Sequence, residues 1–148
     1  MLVFESLMRL HPAVLRAVMI GFVLTPLACS DPRFKPTYPV QGKILFEGKP
    51  AGGAAISLHP LNVPDHPWTK PSAEADEYGQ FTVSTYKEHD GAPAGEYAVT
   101  IVWLPKGYTG PLEKGNKLPG KYASKETSGL TATIVAGDNN LPPFLLTK

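Results

Sequence analysis

From residue 39 onward, apolar and polar side chains alternate along the chain, and turn residues close each run. Val40, Gly42, Ile44 and Phe46 share one parity, and Gln41, Lys43 and Leu45 take the other. Residues 39–46 are therefore expected to form a strand with one mostly buried face. Glu47-Gly48-Lys49-Pro50 supplies a turn in which Gly48 is free to take positive φ. The returning strand, 54–59, buries Ile56 and Leu58, and a weak strand follows over 72–75. The turn Asp76-Glu77-Tyr78-Gly79 feeds a strand over 80–86, where Phe81, Val83 and Thr85 point one way. The strongest alternation lies at 96–103, with Tyr97, Val99, Ile101 and Trp103 on one face. Strands over 130–136 and 141–147 close the pattern around the turn Gly137-Asp138-Asn139-Asn140. Pro142 and Pro143 cannot donate to a ladder, which places them on a sheet edge or at the start of a strand.

About seven short strands without an amphipathic helix predict an all-β fold, a Greek-key β-sandwich. Two stretches interrupt the alternation. Residues 60–72 hold Pro60, Pro64, Pro67 and Pro71, and residues 104–128 form a long excursion rich in glycine, proline and lysine. The second is longer than a compact domain tolerates without a purpose or local structure of its own.

The start of the chain reads differently. Arg9 and Arg16 precede an apolar run from Ala17 to Leu24 that is too short to span a bilayer, and Ala28 precedes Cys29. These features describe an export signal, and Cys29 fits the lipid acceptor of a bacterial lipoprotein. Ordinary cleavage after Ser30 and an uncleaved anchor remain the alternatives, because Pro26 stands where such signals usually carry leucine. Residues 1–28 are thus expected to be a lipoprotein-type signal peptide, 29–38 a proline-bearing tether, and 39–148 the sandwich. Cys29 is the one cysteine of the chain, so no intrachain disulfide forms.

Composition narrows the function classes. The 148 residues carry a net charge of +1, with 16 Pro and 14 Gly that fall between the apolar runs. Once Arg9, Arg16 and Glu5 leave with the signal, basic and acidic residues balance. An interspersed, neutral pattern offers no electrostatic footprint for nucleic acid and no polybasic stretch for lipid headgroups.

The segment from Val40 to Pro50 followed by Gly53-Ala-Ala-Ile-Ser-Leu-His-Pro60 resembles the opening hairpin of carboxypeptidase regulatory-like, transthyretin-like sandwich domains. Asp76-Glu-Tyr-Gly79-Gln-Phe81 is similar to their D-x-x-G-x-[FY] turn, and Gly95-Glu-Tyr97-Ala-Val99 to their G-x-Y-x-V strand. The tail, from Tyr122 through Gly137-Asp-Asn-Asn-Leu141-Pro-Pro-Phe144, looks like that of small planctomycete lipoproteins carrying this domain. The resemblance spans roughly residues 38–148 and implies an accessory module rather than a reaction. One transthyretin-like branch hydrolyses 5-hydroxyisourate with histidine, arginine and a Tyr-Arg-Gly-Ser tail. This chain ends Phe144-Leu-Leu-Thr-Lys148 and has no arginine after Arg33, a departure that argues against that activity.

Few side chains suggest chemistry. His59, Asp65, His66 and His89 are ligand types for zinc or copper, but the sequence does not place them together. Asp76, Glu77 and Asp90 could hold calcium in loops at one end of the sandwich, although the EF-hand spacing is absent and the turns need no ion. No G-x-S-x-G elbow or paired catalytic carboxylates stand out. No cofactor is expected. Trp68, Tyr108 and Tyr122 are candidate ligand-contact aromatics on loops, whereas Trp103 ends a core-facing strand and is expected to be buried. Lys106, Lys114, Lys117, Lys121 and Lys125 give the long excursion a local positive bias, offset by Glu113 and Glu126.

The expectation is a non-enzymatic, lipid-anchored β-sandwich in the bacterial cell envelope. It would be held to a membrane through Cys29 and bind an envelope protein or a glycan through its loops. A secreted or periplasmic domain binding carbohydrate or a divalent cation is the alternative, and a small hydrolase the third.

Overall fold

Val40–Phe46 is the strand to which much of the molecule is hydrogen-bonded. A computed structural model describes residues 34–62 and 70–148 of the chain. The elements are β1 (Thr37–Tyr38), β2 (Val40–Phe46), β3 (Lys49–Pro50), β4 (Ala55–Pro60), β5 (Ser72–Glu74), β6 (Gln80–Thr82), β7 (Ala92–Pro93), β8 (Gly95–Val102), α1 (Leu112–Gly115), a 3-10 turn (Gly120–Ala123), β9 (Leu130–Ile134), β10 (Asn139–Asn140) and β11 (Phe144–Leu146). The fold is all-β, as the alternation predicts. Cys29 and the signal-peptide reading lie outside the described residues.

One sheet runs β5-β4-β8-β9 with every neighbour antiparallel. The other is built on β2, which takes β3 and β6 antiparallel and β10 and β11 parallel. Their inner faces meet in one core. Val40 and Ile44 of β2, Ile56 and Leu58 of β4, Val99 and Ile101 of β8, Ile134 of β9 and Leu146 of β11 are all buried in it. Phe81 and Phe144 stack with ring centroids 6.2 Å apart. The parities read from β2, β4 and β8 therefore set the inward faces, and apolar burial supplies the stabilisation.

Turn chemistry fixes the joints. Glu47 (φ 50) and Gly48 (φ 76) form the two-residue link between β2 and β3, with both central residues left-handed as a type I′ hairpin requires. Asp76 caps its own turn: its Oδ1 accepts from the backbone N–H groups of Tyr78 (2.9 Å) and Gln80 (2.8 Å). That turn delivers Gly79 at φ 75 against β2, where a Cβ would lie 2.5 Å from the Ile44 carbonyl oxygen. The Gly79 carbonyl in turn accepts from the Ile44 N–H at 2.8 Å. Close approach and backbone conformation together make this a glycine position.

Tyr97 shows how a large aromatic ties a loop to the core. Its ring is buried, and its hydroxyl donates to the Pro93 carbonyl four residues upstream at 2.7 Å. Burial, with a smaller contribution from Tyr86, pushes the Tyr97 hydroxyl above the ordinary phenol value. Its share of stability is full below the unfolded phenol pKa, about 10, and is lost as pH rises through the folded value. Tyr97→Phe is expected to cost about 1 kcal/mol near neutral pH through the lost hydrogen bond. The deficit should shrink in alkali, because phenylalanine has no proton to lose. Urea unfolding of both forms at neutral and strongly alkaline pH checks this.

The excursion at 104–128 carries local structure, with α1 and the 3-10 turn inside it. At the other end, the stretch read as tether joins the sheet system before residue 39. Thr37 and Tyr38 form β1 against β7, and Phe34 sets its ring edge-on to Tyr86 at 5.0 Å.

Candidate functional site

An open groove of about 600 Å³ lies along the outer side of β9. Residues 129–133 form one wall, and residues 138–144, leading through β10 into β11, form the other. It is therefore bounded by the terminal strand of one sheet and by a segment of the other. In β9 the burial alternates, with Ala132 and Ile134 buried and Thr131 and Thr133 exposed.

Asn139 builds the end of this groove. Its Oδ1 accepts from the Val135 N–H at 2.9 Å, and its Nδ2 lies within bonding distance of the carbonyls of Gly137 (2.8 Å), Val135 (3.0 Å) and Pro39 (3.2 Å). One buried amide side chain thus holds the β9–β10 turn to the start of β2. The far wall is pinned to β2 by the Leu141 N–H on the Gln41 carbonyl (2.8 Å) and by the Gln41–Asn140 side-chain bond. Pro142 and Pro143 sit immediately before β11, at a strand start, where their missing donors break no ladder. The sequence reading did not single out Asn139. The turn-rich Gly137-Asp138-Asn139-Asn140 was the available signal.

Several expected site residues serve other ends. Trp68 and Cys29, with Asp65 and His66, lie outside the described residues. Tyr122, expected on a ligand-facing loop, is a core residue with 5% exposure. Its hydroxyl bonds the Thr147 carbonyl (3.2 Å) and accepts from the Thr147 N–H (3.1 Å). The donated amide hydrogen bond favours the phenolate and holds its pKa below the ordinary value. The expectation of a ligand contact there is corrected because the 3-10 turn aims this ring inward. Tyr108, half-buried, donates its hydroxyl to the Pro111 carbonyl at 3.0 Å and closes its own loop.

The acidic candidates are separated by their turns. Asp76 and Glu77 sit on the loop before β6, while Asp90 closes the loop after it. Asp90 Oδ1 accepts from the Thr85 N–H (2.7 Å), and its Oδ2 accepts from those of Tyr86 (3.0 Å) and Lys87 (3.1 Å). Asp90→Ala is expected to destabilise by about 2 kcal/mol, since charge-assisted bonds are worth more than neutral ones. Hydrogen exchange at residues 85–87 should accelerate, and Asp90→Asn should recover part of the loss. Among the described residues, no three His, Cys, Asp or Glu side chains come together as a metal site.

His59 is buried on β4 with Nε2 3.0 Å from Thr100 Oγ1, and His89 donates its backbone N–H to Ser84 Oγ at 2.8 Å. Trp103, expected to be buried, is half-buried just past the end of β8. Its Nε1 donates to the Gly52 carbonyl (2.8 Å), Phe46 packs edge-on, and the Lys117 ammonium lies 4.6 Å from the ring centroid. Lys121 similarly covers Tyr122 at 4.9 Å. Two of the five excursion lysines therefore lie over aromatic rings.

Neither the models of known protein families nor the curated proteins give a match to this chain.

The groove beside β9 is chemically mixed. Its lining combines strand backbone, threonine hydroxyls, amides and apolar side chains, and Asp138 is its one ionisable member. Such a surface offers hydrogen bonds and shape to a ligand.

Proposed function

We propose that this chain is a non-enzymatic, lipid-anchored β-sandwich of the bacterial cell envelope, of the carboxypeptidase regulatory-like kind, acting as a binding module. The groove beside β9 carries the binding half of the reading: it is a concave surface lined by threonines, asparagines, one aspartate and apolar side chains. The Tyr108 and Tyr122 hydroxyls are bonded within the domain, and we place recognition at the sheet edge. The anchoring half rests on the basic, apolar leader ending at Ala28-Cys29.

Intact mass tests the anchor. The protein is recovered from the membrane and soluble fractions of a host with lipoprotein processing. A membrane-bound species comprising residues 29–148 plus acyl-glyceryl groups supports the reading, because multiple acyl chains hold a protein firmly. A soluble species beginning at Asp31 overturns it. Mild crosslinking in the same envelope tests the module: a reproducible partner supports it, and turnover above a boiled control in a broad hydrolase screen overturns it.

A further inference from the structure

Sheet edges invite additional strands unless something blocks them. The β5 edge is three residues long and carries Glu74, and its Ser72 makes a further bridge to Ser84. β9 lacks such protection. Among the described residues it pairs with β8 alone, one residue to one residue from Val99↔Leu130 to Gly95↔Ile134, with no bulge. Its sequence, Leu-Thr-Ala-Thr-Ile, has no charge, no proline and no glycine. Threonine and isoleucine favour the extended conformation an added strand needs.

The groove gives this edge a shape. An arriving strand would pair with β9 on one side and meet residues 138–144 on the other. Alternate side chains of that strand would face the apolar part of the lining, where Ala132, Leu141 and Phe144 lie. Pro142 and Pro143 offer no N–H, so β9 is the better-equipped wall for a backbone ladder. Asp138 stands beyond the C-terminal end of β9. A strand added antiparallel brings its own N-terminal end there. A second copy answers this charge poorly: its β9 is neutral, and on the flank before it Lys125 is offset by the adjacent Glu126. Antiparallel self-pairing therefore brings Asp138 no unbalanced cation.

We infer that β9 and its groove receive an extended segment of a partner protein, added antiparallel to β9, with alternating apolar side chains and a lysine or arginine at its N-terminal end beside Asp138. This rests on the binding-module reading and names its site and partner chemistry. Such strand addition draws affinity from main-chain hydrogen bonds and selectivity from alternate side chains.

The probe is a synthetic hexapeptide, Lys-Thr-Val-Thr-Val-Thr, capped at both ends and titrated into the isotopically labelled full-length chain. Amide resonances of Leu130–Ile134 should shift and their exchange should slow. N-methylation of one alternate set of peptide amides should weaken binding at least about tenfold, and methylation of the other set should be tolerated, because only one set faces the edge. Moving the lysine to the C-terminal end, or Asp138→Asn, should weaken binding roughly two- to fivefold, the scale of an exposed ion pair. No binding at millimolar peptide, equal effects of the two methylation patterns, or shifts confined to another surface would each overturn the inference. Concentration-dependent shifts of the same amides without peptide would also overturn it, by assigning the edge to a second copy. None of these results decides the anchor or the crosslinked partner, so failure at β9 is separable from failure of the module reading.

Discussion

Gly91→Ala is expected to destabilise the domain by about 3 kcal/mol or more, the largest effect of any single methyl addition considered. Gly91 is buried at φ 82, and a Cβ there would overlap the Tyr38 carbonyl group and crowd Pro39. The left-handed conformation alone costs a non-glycine residue on the order of 1–2 kcal/mol. The overlap adds to this, because the obstacle is backbone and cannot swing aside. Gly91 also donates its N–H to the Val83 carbonyl at 2.9 Å, so its displacement pulls on the β6 side. Relief comes by parting β1 from β7, where Tyr38 pairs with Ala92. Gly107→Ala is the control: its φ is 74, but nothing lies within 4 Å of the added carbon. Urea unfolding should show a loss of about 1 kcal/mol for Gly107→Ala and a clearly larger one for Gly91→Ala. Equal losses would show that the β1–β7 contact yields at no cost.

Ile101→Ala is the second large effect, expected to cost about 2–5 kcal/mol. Ile101 is fully buried at the middle of the core, directly across from Ile56 on β4. Removing its outer carbons leaves a cavity between two sheets, at a point where the β4 ladder holds the β8 backbone in place. The surroundings can collapse little, which places the loss in the upper part of that range. Leu145→Ala deletes a comparable side chain from the outer face of β11, where Leu145 is 69% exposed, and should stay within about 0.5 kcal/mol. Thermal or urea unfolding of the pair separates burial from hydrophobicity as such.

These two positions show what was legible in the sequence. Ile101 belongs to the clearest alternation of the chain, and its inward direction followed from period two. The same rule located β2, β4, β8 and β9 within a residue or two. It overextended the strand expected at 80–86, which ends as β6 at Thr82. The reason is Asp90, whose carboxylate takes the N–H groups of Thr85, Tyr86 and Lys87. A side chain five residues away outcompeted the ladder, and alternation contains no trace of that.

The two-residue strands β1, β3, β7 and β10 are too short to have a period. Asp90-Gly91 is a turn signal in the sequence, but the contact that excludes a side chain at Gly91 comes from Tyr38, on a strand the pattern did not register. Tyr122 was read as a loop aromatic because the alternation carried no sign of the 3-10 turn that buries it. The groove was hidden for a further reason. Its walls adjoin only after β10 and β11 pair in parallel with β2, about a hundred positions earlier, and such pairings are a property of topology.

Those pairings also set the order in which the protein can be completed. Phe144, Leu145 and Leu146 pair with Ile44, Leu45 and Phe46, and the Lys148 N–H reaches the Glu47 carboxylate at 2.8 Å. A chain synthesised from its N-terminus makes β2 early but receives two of its four sheet neighbours last. The sandwich therefore closes only after β11, about a hundred residues beyond β2, has been made, and closure of so long a loop is slow. Until then the C-terminal half of β2 has no parallel neighbour, and deleting residues 144–146 would strip a paired strand from it rather than trim a loose end.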